Sequence, residues 1–310
     1  MTDITAIGEV LIDLTQTGIN PQGVPLLAAN PGGAPANVAV AAARLGASTA
    51  FVGKVGRDGF GDYLRRVLEE NRVDVSGLRT GSDPTTLAVV TLTPQGERSF
   101  RFVRGADCGL TPEELDLGQL TRSKVLHFGS VSLTGGPARA ATIFAARQAK
   151  QAGVLVSYDP NYREALWSSR EEAVEWMRTP LPLVDLIKLS DEELALLTGT
   201  DDPEEASRRL AERGISLVLI TLGDKGSFYR WQGQTGLVPG VATTVADTNG
   251  AGDTFLGSVL SRLVARENRP LEGLTAAELE EILRFANRAA SVTCSRSGAI
   301  PAMPTLAELQ

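Results

Sequence analysis

The sequence predicts an α/β protein with a mainly parallel β-sheet, helices on both faces of it, and a small β-sheet that covers one edge as a lid. The first observation behind this prediction is the alternation of apolar strand candidates with helical segments along most of the 310 residues. Such alternation is typical of parallel sheets that are covered by helices. The second is a hairpin pattern in residues 85–104, which breaks the alternation. Since no repeat or low-complexity segment divides the chain, we expect one domain over residues 1–310.

The elements before residue 72 follow the alternation. Residues 5–12 and 50–55 are apolar strand candidates. A helix is predicted over residues 35–45, with Gly46 as its stop. Residues 60–71 have their apolar positions at helical spacing and predict a second helix.

The lid is predicted from two discontinuous segments, about 10–32 and 85–105. In the second segment, strand candidates at 87–92 and 99–103 flank a turn at 94–97. The free edge of such a sheet offers unpaired backbone groups to another chain. A homodimer through the lid is therefore a hypothesis.

The alternation resumes after the lid and continues to the end of the chain. Buried-strand candidates lie at 125–128, 154–158, 186–189 and 217–222, and helices are predicted at 138–151, 170–177, 191–198 and 203–213. Further on, an extended run over 240–245 leads through a turn into an apolar helical stretch at 254–260.

Composition excludes several classes of function. The net charge is −7 with a pI of about 5.0, and no basic run is present, so a nucleic-acid partner is not expected. No stretch approaches the ~18 apolar residues of a membrane span, and no basic signal region is visible, so we expect a cytoplasmic protein. Cys108 and Cys294 are too few for a disulfide framework or a zinc site. His127 is the single histidine, with apolar neighbours, which argues against serine-hydrolase chemistry.

Residues 247–253, Asp-Thr-Asn-Gly-Ala-Gly-Asp, are the most informative stretch. A turn of small residues that enters a helix leaves backbone N–H groups pointing outward, where they and the helix dipole favour an anion. A carboxylate at this point, Asp253, is a poor phosphate ligand but a suitable base beside a phosphate. A base next to an anion hole is what phosphoryl transfer to an alcohol needs. The alternative is a simple turn with Asp253 as a helix N-cap.

Three other polar segments follow strand candidates. Residues 30–37 combine two glycines with Asn37, Asp13 follows the first strand, and residues 159–163 follow a later strand. The carboxyl ends of strands are where open α/β sheets bind ligands. Arg163 has the geometry to clamp phosphate oxygens, although each segment also fits an ordinary loop or turn.

The pattern D-T-x-G-A-G-D at 247–253 resembles the C-terminal signature of the ribokinase-like (PfkB) carbohydrate kinases, and residues 30–37 resemble the N-terminal signature. The likeness runs from about residue 4 to residue 304. It implies a ribokinase-like fold in which Asp253 is the base. It also implies that the transferring group is stabilised by Gly250, Ala251, Gly252 and Arg163. For the acceptor sugar it implies contacts from Asp253, Asp13, Gly32, Gly33, Asn37 and Asn161, and from either Arg101 or Arg104 of the lid.

The same resemblance implies Mg-ATP as cofactor, although the P-loop string is absent. Glu193 keeps the family pattern N-x-x-E, whose glutamate positions Mg²⁺ through water, while Ser190 replaces its asparagine. A helix N-cap explains this pair equally well. The nucleotide is expected to contact Ser190, Thr221, Gly223, Gly226, Gly252 and Asn287. A K⁺ site is expected at Asp247, Asn249 and Gly298.

The stretches 8–13, 33–37, 96–100 and 161–167 look most like bacterial fructokinases. The resemblance therefore implies transfer of the γ-phosphoryl group of ATP to a primary hydroxyl, O6 of D-fructose. A 2-keto-3-deoxygluconate kinase is the first alternative, and its acidic substrate would need a cation beside the sugar site. A nucleoside kinase fits these stretches less well. A non-catalytic sugar sensor on the same fold is a further alternative, against which the intact glycine turn and Asp253 argue.

Overall fold

The computed structural model describes residues 2–92 and 98–310. Side chains of residues 91–100 are not described, so the predicted turn at 94–97 and most of the stretch 96–100 lie outside the description. The strands are β1 Ile4–Ile7, β2 Leu11–Ile19, β3 Pro25–Gly32, β4 Thr49–Gly56, β5 Val73–Gly81, β6 Leu87–Leu92, β7 Arg98–Val103, β8 Val125–Gly129, β9 Leu155–Asp159, β10 Leu186–Ser190, β11 Leu217–Thr221, β12 Ser227–Trp231 and β13 Gln234–Val238. The α-helices are α1 Ala34–Arg44, α2 Gly59–Glu70, α3 Leu117–Thr121, α4 Gly136–Gln151, α5 Arg170–Arg178, α6 Asp191–Thr198, α7 Pro203–Ala211, α8 Ala251–Val264 and α9 Ala276–Cys294.

The larger sheet has the order β13-β12-β11-β10-β9-β8-β1-β4-β5 in the described part of the chain. Its strands run parallel from β11 to β5, and β12 and β13 continue it antiparallel. The predicted mainly parallel sheet is thus confirmed. The antiparallel end was not predicted.

Helices cover both faces of the larger sheet, because its central strands are apolar on both sides. On β10, Leu186 packs with Phe255 of α8 on one face. Ile187, the next residue, packs with Ala145 of α4 and Leu194 of α6 on the other. Successive side chains of a strand point to opposite faces, so a continuous apolar run requires burial on both.

A second sheet has the order β3-β2-β6-β7. Its central pair, β2 and β6, is parallel, and the two outer pairings are antiparallel. Its strands lie within the two segments predicted for the lid.

The prediction of one strand over residues 5–12 was wrong. The segment is divided between the two sheets, because β1 ends at Ile7 and β2 begins at Leu11. Gly8 between them has φ 151°, and a Cβ there would lie 2.7 Å from the Cγ of Pro35. A glycine is needed at such a position, and it marks the point where the chain leaves the larger sheet.

Other boundaries also differ from the sequence prediction. Residues 240–245 have no regular structure, and the apolar stretch at 254–260 is the middle of a longer helix, α8. Strand β5, the β12–β13 hairpin and helix α9 were not predicted. In the described part of the chain, every helix is too short or too polar to cross a lipid bilayer.

Candidate active site

The glycine turn opens helix α8 as predicted. Gly250 is the N-cap with φ 76°, and Asp253 is the third residue of the helix, so the alternative in which Asp253 is the N-cap is wrong. A Cβ at Gly250 would lie 2.9 Å from the Cβ of Ala299, so the turn has no room for a side chain there. The Ala251 N–H donates to the carbonyl of Thr248 over 3.3 Å. The N–H groups of the first helical turn have no partner within the helix, and an anion in front of the turn would accept from them.

Asp253 is 6% exposed and lies between two asparagine amides. Asn37 of α1 donates from Nδ2 to its Oδ2 over 2.8 Å, and Asn161 donates from Nδ2 to its Oδ1 over 3.3 Å. These three residues come from distant parts of the sequence. The structure therefore brings together the expected base and two of the expected sugar-contacting residues, and the two amides fix the orientation of the carboxylate.

Burial and, after it, the neighbouring carboxylate of Asp159 raise the pKa of Asp253 to about 6. The hydrogen bond from Asn37 and the cations Lys188 and Arg163 oppose this increase. At neutral pH the group is mostly ionised, yet its pKa is close to the working pH. This is the range in which a general base is most effective.

Asp13 lies on β2 of the second sheet and interacts with the same site. Burial raises its pKa to about 6, Arg163 opposes this, and Asp253 increases it. Arg163 itself is exposed. A Cβ at Gly32 would lie 2.4 Å from Oδ2 of Asp13, so the glycine leaves space for this carboxylate. Asp13, Gly32 and Arg163 are thus neighbours at one side of the candidate sugar site.

The loop before α1 is held by a glutamate that the site prediction did not include. Gly33 has φ 109°, and a Cβ there would lie 2.5 Å from the carbonyl oxygen of Glu9. The Ala34 N–H donates to Oε1 of Glu9 over 3.0 Å. Glu9 is 2% exposed, and its Oε2 has no hydrogen-bond partner in the described chain. Glu9 thus fixes the loop whose shape brings Asn37 to Asp253.

The two arginines of the second sheet occupy different surroundings. Arg101 is exposed. Arg104 donates to Oδ2 of Asp107 over 2.6 Å and to Oγ1 of Thr134 over 2.8 Å, and its Nε is buried without a partner. Arg104 therefore fixes the end of β7 to Asp107 and Thr134, whereas the side chain of Arg101 is exposed to solvent.

Beneath the glycine turn lies a buried ion pair that the site prediction missed. The Nζ of Lys188 is 3.0 Å from Oδ2 of Asp159, and the two side chains are 7% and 1% exposed. The other oxygen of Asp159 accepts from the N–H of Asn161 over 3.2 Å, where the backbone of Asn161 has φ 46°. The spacing of the sequence gives no sign that β9 and β10 place these two side chains together.

Glu193 has the capping role that was considered for it. It forms a capping box with Ser190, whose N–H donates to Oε2 over 2.8 Å, and it accepts from the N–H of Tyr162 at Oε1 over 2.6 Å. Both oxygens are thus engaged with backbone groups. In the described residues, acidic, cysteine and histidine side chains form no group of three that would hold a metal directly. The arrangement fits Mg²⁺ that is carried by phosphates and water better than direct ligation.

Two of the expected nucleotide-binding residues, Gly226 and Asn287, contact one segment, residues 238–240. Thr221 ends β11, and Gly223 (φ 59°) opens the turn after it. Gly226 has φ 102°, and a Cβ there would lie 2.1 Å from the carbonyl oxygen of Val238. Asn287 of α9 donates from Nδ2 to the carbonyls of Val238 and Pro239 over 3.1 and 3.0 Å. Gly226 and Asn287 therefore shape this segment.

The expected K⁺ residues are only partly together. Asp247 accepts from the N–H of Gly298 over 3.1 Å and from the N–H of Asn249 over 3.0 Å. The side chain of Asn249, however, acts on Asp13 and lowers the pKa of that carboxyl. Asp247 and Gly298 thus stay candidates, whereas the Asn249 side chain is directed to the sugar side.

Histidine and cysteine carry out hydrolase and disulfide chemistry in many proteins, but the surroundings of His127, Cys108 and Cys294 disfavour it here. His127 is fully buried in β8 with its Nδ1 3.2 Å from Oγ of Ser157, and burial lowers its pKa to about 3. Cys108 and Cys294 are free thiols, and burial raises the pKa of both. Hydrolase and disulfide chemistry are thus not supported at these positions.

Comparison with known proteins agrees with this geometry. The profile of the pfkB family carbohydrate kinases matches residues 1–306. The chain belongs to this family.

Relatives of this kinase point to fructose. It is 44% identical to the probable fructokinase-4 of Arabidopsis thaliana over 314 residues, which cover 99% of this chain and 95% of the relative. The fructokinase of Xylella fastidiosa with bound ATP superposes with a TM-score of 0.92 at 34% identity, covering 99% and 96% of the two chains. A double mutant of the fructokinase of Vibrio cholerae, with fructose, ADP and potassium ion bound, gives a TM-score of 0.88 at 34% identity, covering 100% and 97%.

The family and the ribokinase-like fold class predicted from the sequence are therefore confirmed for this kinase. What the prediction missed are the buried charges Lys188 and Glu9. Both stand among apolar residues in the sequence. A charged residue within an apolar run was the signal that could have revealed them, because a buried charge is retained where it is paired or used.

Proposed function

We propose that this chain is an ATP-dependent fructokinase, which transfers the γ-phosphoryl group to O6 of D-fructose. The observation that carries the proposal is the buried Asp253 carboxylate at the start of α8, held between Asn37 and Asn161. A base in front of a helix N-terminus suits attack of an alcohol on a phosphoryl group. The fructokinases among the relatives supply the choice of sugar.

In this mechanism Asp253 accepts the proton of the sugar hydroxyl as the new O–P bond forms. The N–H groups of Gly250, Ala251 and Gly252 face the transferring group. The Ala251 N–H would give up its long hydrogen bond to the Thr248 carbonyl and donate to the transferring group instead. Arg163, exposed at the same side, neutralises charge on the phosphoryl oxygens. Glu193 would hold Mg²⁺ through water, and the ion would supply positive charge that neutralises the phosphates of ATP. Most of the rate enhancement then comes from positioning and electrostatics.

Sugar binding is assigned to the opposite side of the site. Asp13 accepts hydrogen bonds from sugar hydroxyls, Gly32 and Gly33 allow a close approach of the backbone, and Asn37 and Asn161 contact the hydroxyl beside the base. We assign the lid to the segments 10–32 and 85–105 of one kinase domain over residues 1–310. Its closure would exclude water and so suppress hydrolysis of ATP. Arg101 is our choice for the sugar contact, because Arg104 is already paired with Asp107.

The nucleotide would lie along Ser190, Thr221, Gly223, Gly226, Gly252 and Asn287. Asp247 and Gly298 are proposed for K⁺, with carbonyl groups of residues 293–298. A cytoplasmic location follows from the proposed use of ATP, and fractionation of cells that express the protein tests it.

The Asp253→Asn variant tests the proposed function. We expect turnover to fall roughly 10²–10⁴-fold, the usual contribution of a general base, while fructose binding persists. ADP release with Mg-ATP is measured across fructose, 2-keto-3-deoxygluconate, ribose, glucose and adenosine. Asp62→Asn, the same change at an exposed residue of α2, is the control.

The same panel separates the alternatives. A dominant 2-keto-3-deoxygluconate signal would keep the mechanism but change the substrate, and Arg163 would supply the cation that this acid needs. Sugar binding without ADP release from any acceptor would favour a sensor. Turnover of Asp253→Asn near that of the wild type would contradict the assignment of the base.

We also propose a homodimer through the lid sheet. Its strands expose large apolar side chains, with Ile19 at 63%, Leu26 at 49% and Leu27 at 46%, and its free edge offers unpaired backbone groups to a second copy. We expect Leu26→Asp to convert a dimer into a monomer in sedimentation velocity. Leu237→Asp on β13, where the leucine is 58% exposed, should leave the mass unchanged. A monomeric wild type would reject the proposal.

A further inference from the structure

The most unusual buried group of the molecule is the ammonium of Lys188, in the middle of the larger sheet. It is 7% exposed and has one hydrogen-bond acceptor in the described chain, Oδ2 of Asp159 at 3.0 Å. Transfer of an ammonium group from water is costly unless it is paired. An apolar residue of similar length would serve packing alone, so the charge calls for a reason.

The location of Lys188 supplies a reason for this buried charge. A Cβ at Gly252 would lie 2.9 Å from its Nζ, which places the ammonium directly beneath the second glycine of the Gly-Ala-Gly turn. Glycine at position 252 thus has a specific role, since any side chain would displace the lysine. The cation lies behind the same backbone that faces the transferring phosphoryl group.

A chain of contacts connects Lys188 to the base. Asp159 binds the ammonium through Oδ2 and accepts from the Asn161 N–H at Oδ1 over 3.2 Å. Asn161 in turn donates from Nδ2 to Oδ1 of Asp253 over 3.3 Å. The left-handed backbone of Asn161, φ 46°, is a conformation that such a carboxylate contact stabilises. Displacing Asp159 would therefore also displace the amide that orients Asp253.

We propose that Lys188 is a positioning residue for phosphoryl transfer, which holds Asp159 and Asn161 in place and favours the ionised form of Asp253. The inference rests on the proposed function, in which Asp253 is the base. The charged groups that act on Asp253 are Asp159, Asp13, Lys188 and Arg163. Of these, Lys188 is the buried cation, and burial weakens screening of its charge by solvent and salt.

The electrostatic balance of the cluster supports this role. Burial opposes the charge on Lys188, but Asp159 and Glu193 hold its pKa above the usual value of a lysine, so it stays a cation. Burial and Asp159 raise the pKa of Asp253, and Lys188 lowers it. The two members of the ion pair thus act on the base with opposite signs.

The test is the pH dependence of kcat/KM for fructose in two single variants. Lys188→Met removes the cation. We expect the acid limb of its pH profile, in which activity falls as Asp253 becomes protonated, to move up by about one pH unit. Activity that is lost at pH 6 is then largely recovered at pH 8. Asp159→Asn keeps the shape but removes the anion, and its acid limb should move down. Lys54→Met, which breaks a half-buried ion pair with Glu114 elsewhere in the fold, should leave the acid limb in place.

Lys188→Met leaves Asp159 buried without its partner and risks poor folding. The double variant Lys188→Met/Asp159→Asn avoids this, and its acid limb should lie above that of Asp159→Asn alone. A rate loss equal at all pH values, with no movement of the acid limb in either comparison, would overturn the proposal. If that occurs while Asp253→Asn is inactive, the role of Lys188 fails alone; an active Asp253→Asn overturns the base assignment and this inference with it.

Discussion

The two sheets of this kinase are built on different principles. In the larger sheet, Ile4, Leu186 and Leu217 are fully buried, and helices cover both faces. In the smaller sheet, Ile19, Leu26 and Leu27 are each exposed by 46% or more. The larger sheet is held by apolar burial, and its strands β9 and β10 carry the buried charges Asp159 and Lys188 beside Asp253 of α8. The smaller sheet is buried only in part, at Ile12, Ala88 and Val90 among others, and Arg104 anchors the end of β7 through Asp107 and Thr134. The lesson is that the proposed base lies against the sheet that is buried on both faces, whereas part of the smaller sheet is open to solvent.

The largest expected effect comes from the same substitution in both sheets. Leu219→Ala in β11, at a fully buried position, should lower the free energy of unfolding by about 2–5 kcal/mol. Leu26→Ala in β3 should change it by less than about 0.5 kcal/mol. Urea unfolding of both variants at a protein concentration low enough to disfavour dimers measures the difference. Equal losses would mean that the smaller sheet is as firmly packed as the larger one.

A second prediction concerns Glu9, which lies where the chain passes from one sheet to the other. Burial raises its pKa to about 7, Asp107 increases it and Arg104 opposes it. Because the folded-state pKa is above the usual value near 4.5, this contribution to stability is fully present below pH 4.5. It is lost as the pH rises through 7.

The variant Glu9→Gln keeps the acceptor for the Ala34 N–H without this titration. We expect it to be more stable than the wild type by about 1–3 kcal/mol at pH 8, since one pKa unit corresponds to about 1.4 kcal/mol. The difference should shrink toward pH 5. Thermal unfolding at the two pH values measures it, and an unchanged difference would mean that Glu9 stays ionised in the fold.

The smallest expected effect is the pH dependence of catalysis by the wild type. With the pKa of Asp253 raised to about 6, kcat/KM for fructose should fall about tenfold for each pH unit below 6, because only the carboxylate accepts a proton. The residual activity of Asp253→Asn should lack this limb. A limb of the same shape in the variant would assign it to another group, and so weaken the contrast between the two sheets.

The parallel part of the larger sheet was accessible from the sequence because its strands are apolar runs separated by helices. The β12–β13 hairpin was missed, although Gln232 (φ 49°) and Gly233 (φ 78°) form a two-residue turn between strands of alternating burial. Such a dipeptide is a weaker hairpin signal than Asn-Gly. Helix α9 was missed although Thr275 and Glu278 form a capping box at its start, a pattern that does predict a helix.

For the site, the sequence assigned the glycine turn, Asn37, Asn161 and Asp13 to one place through the resemblance to the kinase family, and the structure brings Asp253, Asn37 and Asn161 together. Their roles in binding and catalysis stay predictions. The Lys188–Asp159 pair depends on side-chain directions between separate strands. Local pattern does not contain that information, whereas the register of the folded sheet does.

The short passage from Gly8 to Val10 has a consequence for substrate size. It joins the two sheets directly, so Asp13 stands on the smaller sheet while Asp253 stands on α8, which packs against the larger one. The angle between the sheets therefore sets the width of the gap between these two carboxylates. A sugar that spans the gap fixes the angle, and a shorter or bulkier acceptor leaves it open to water.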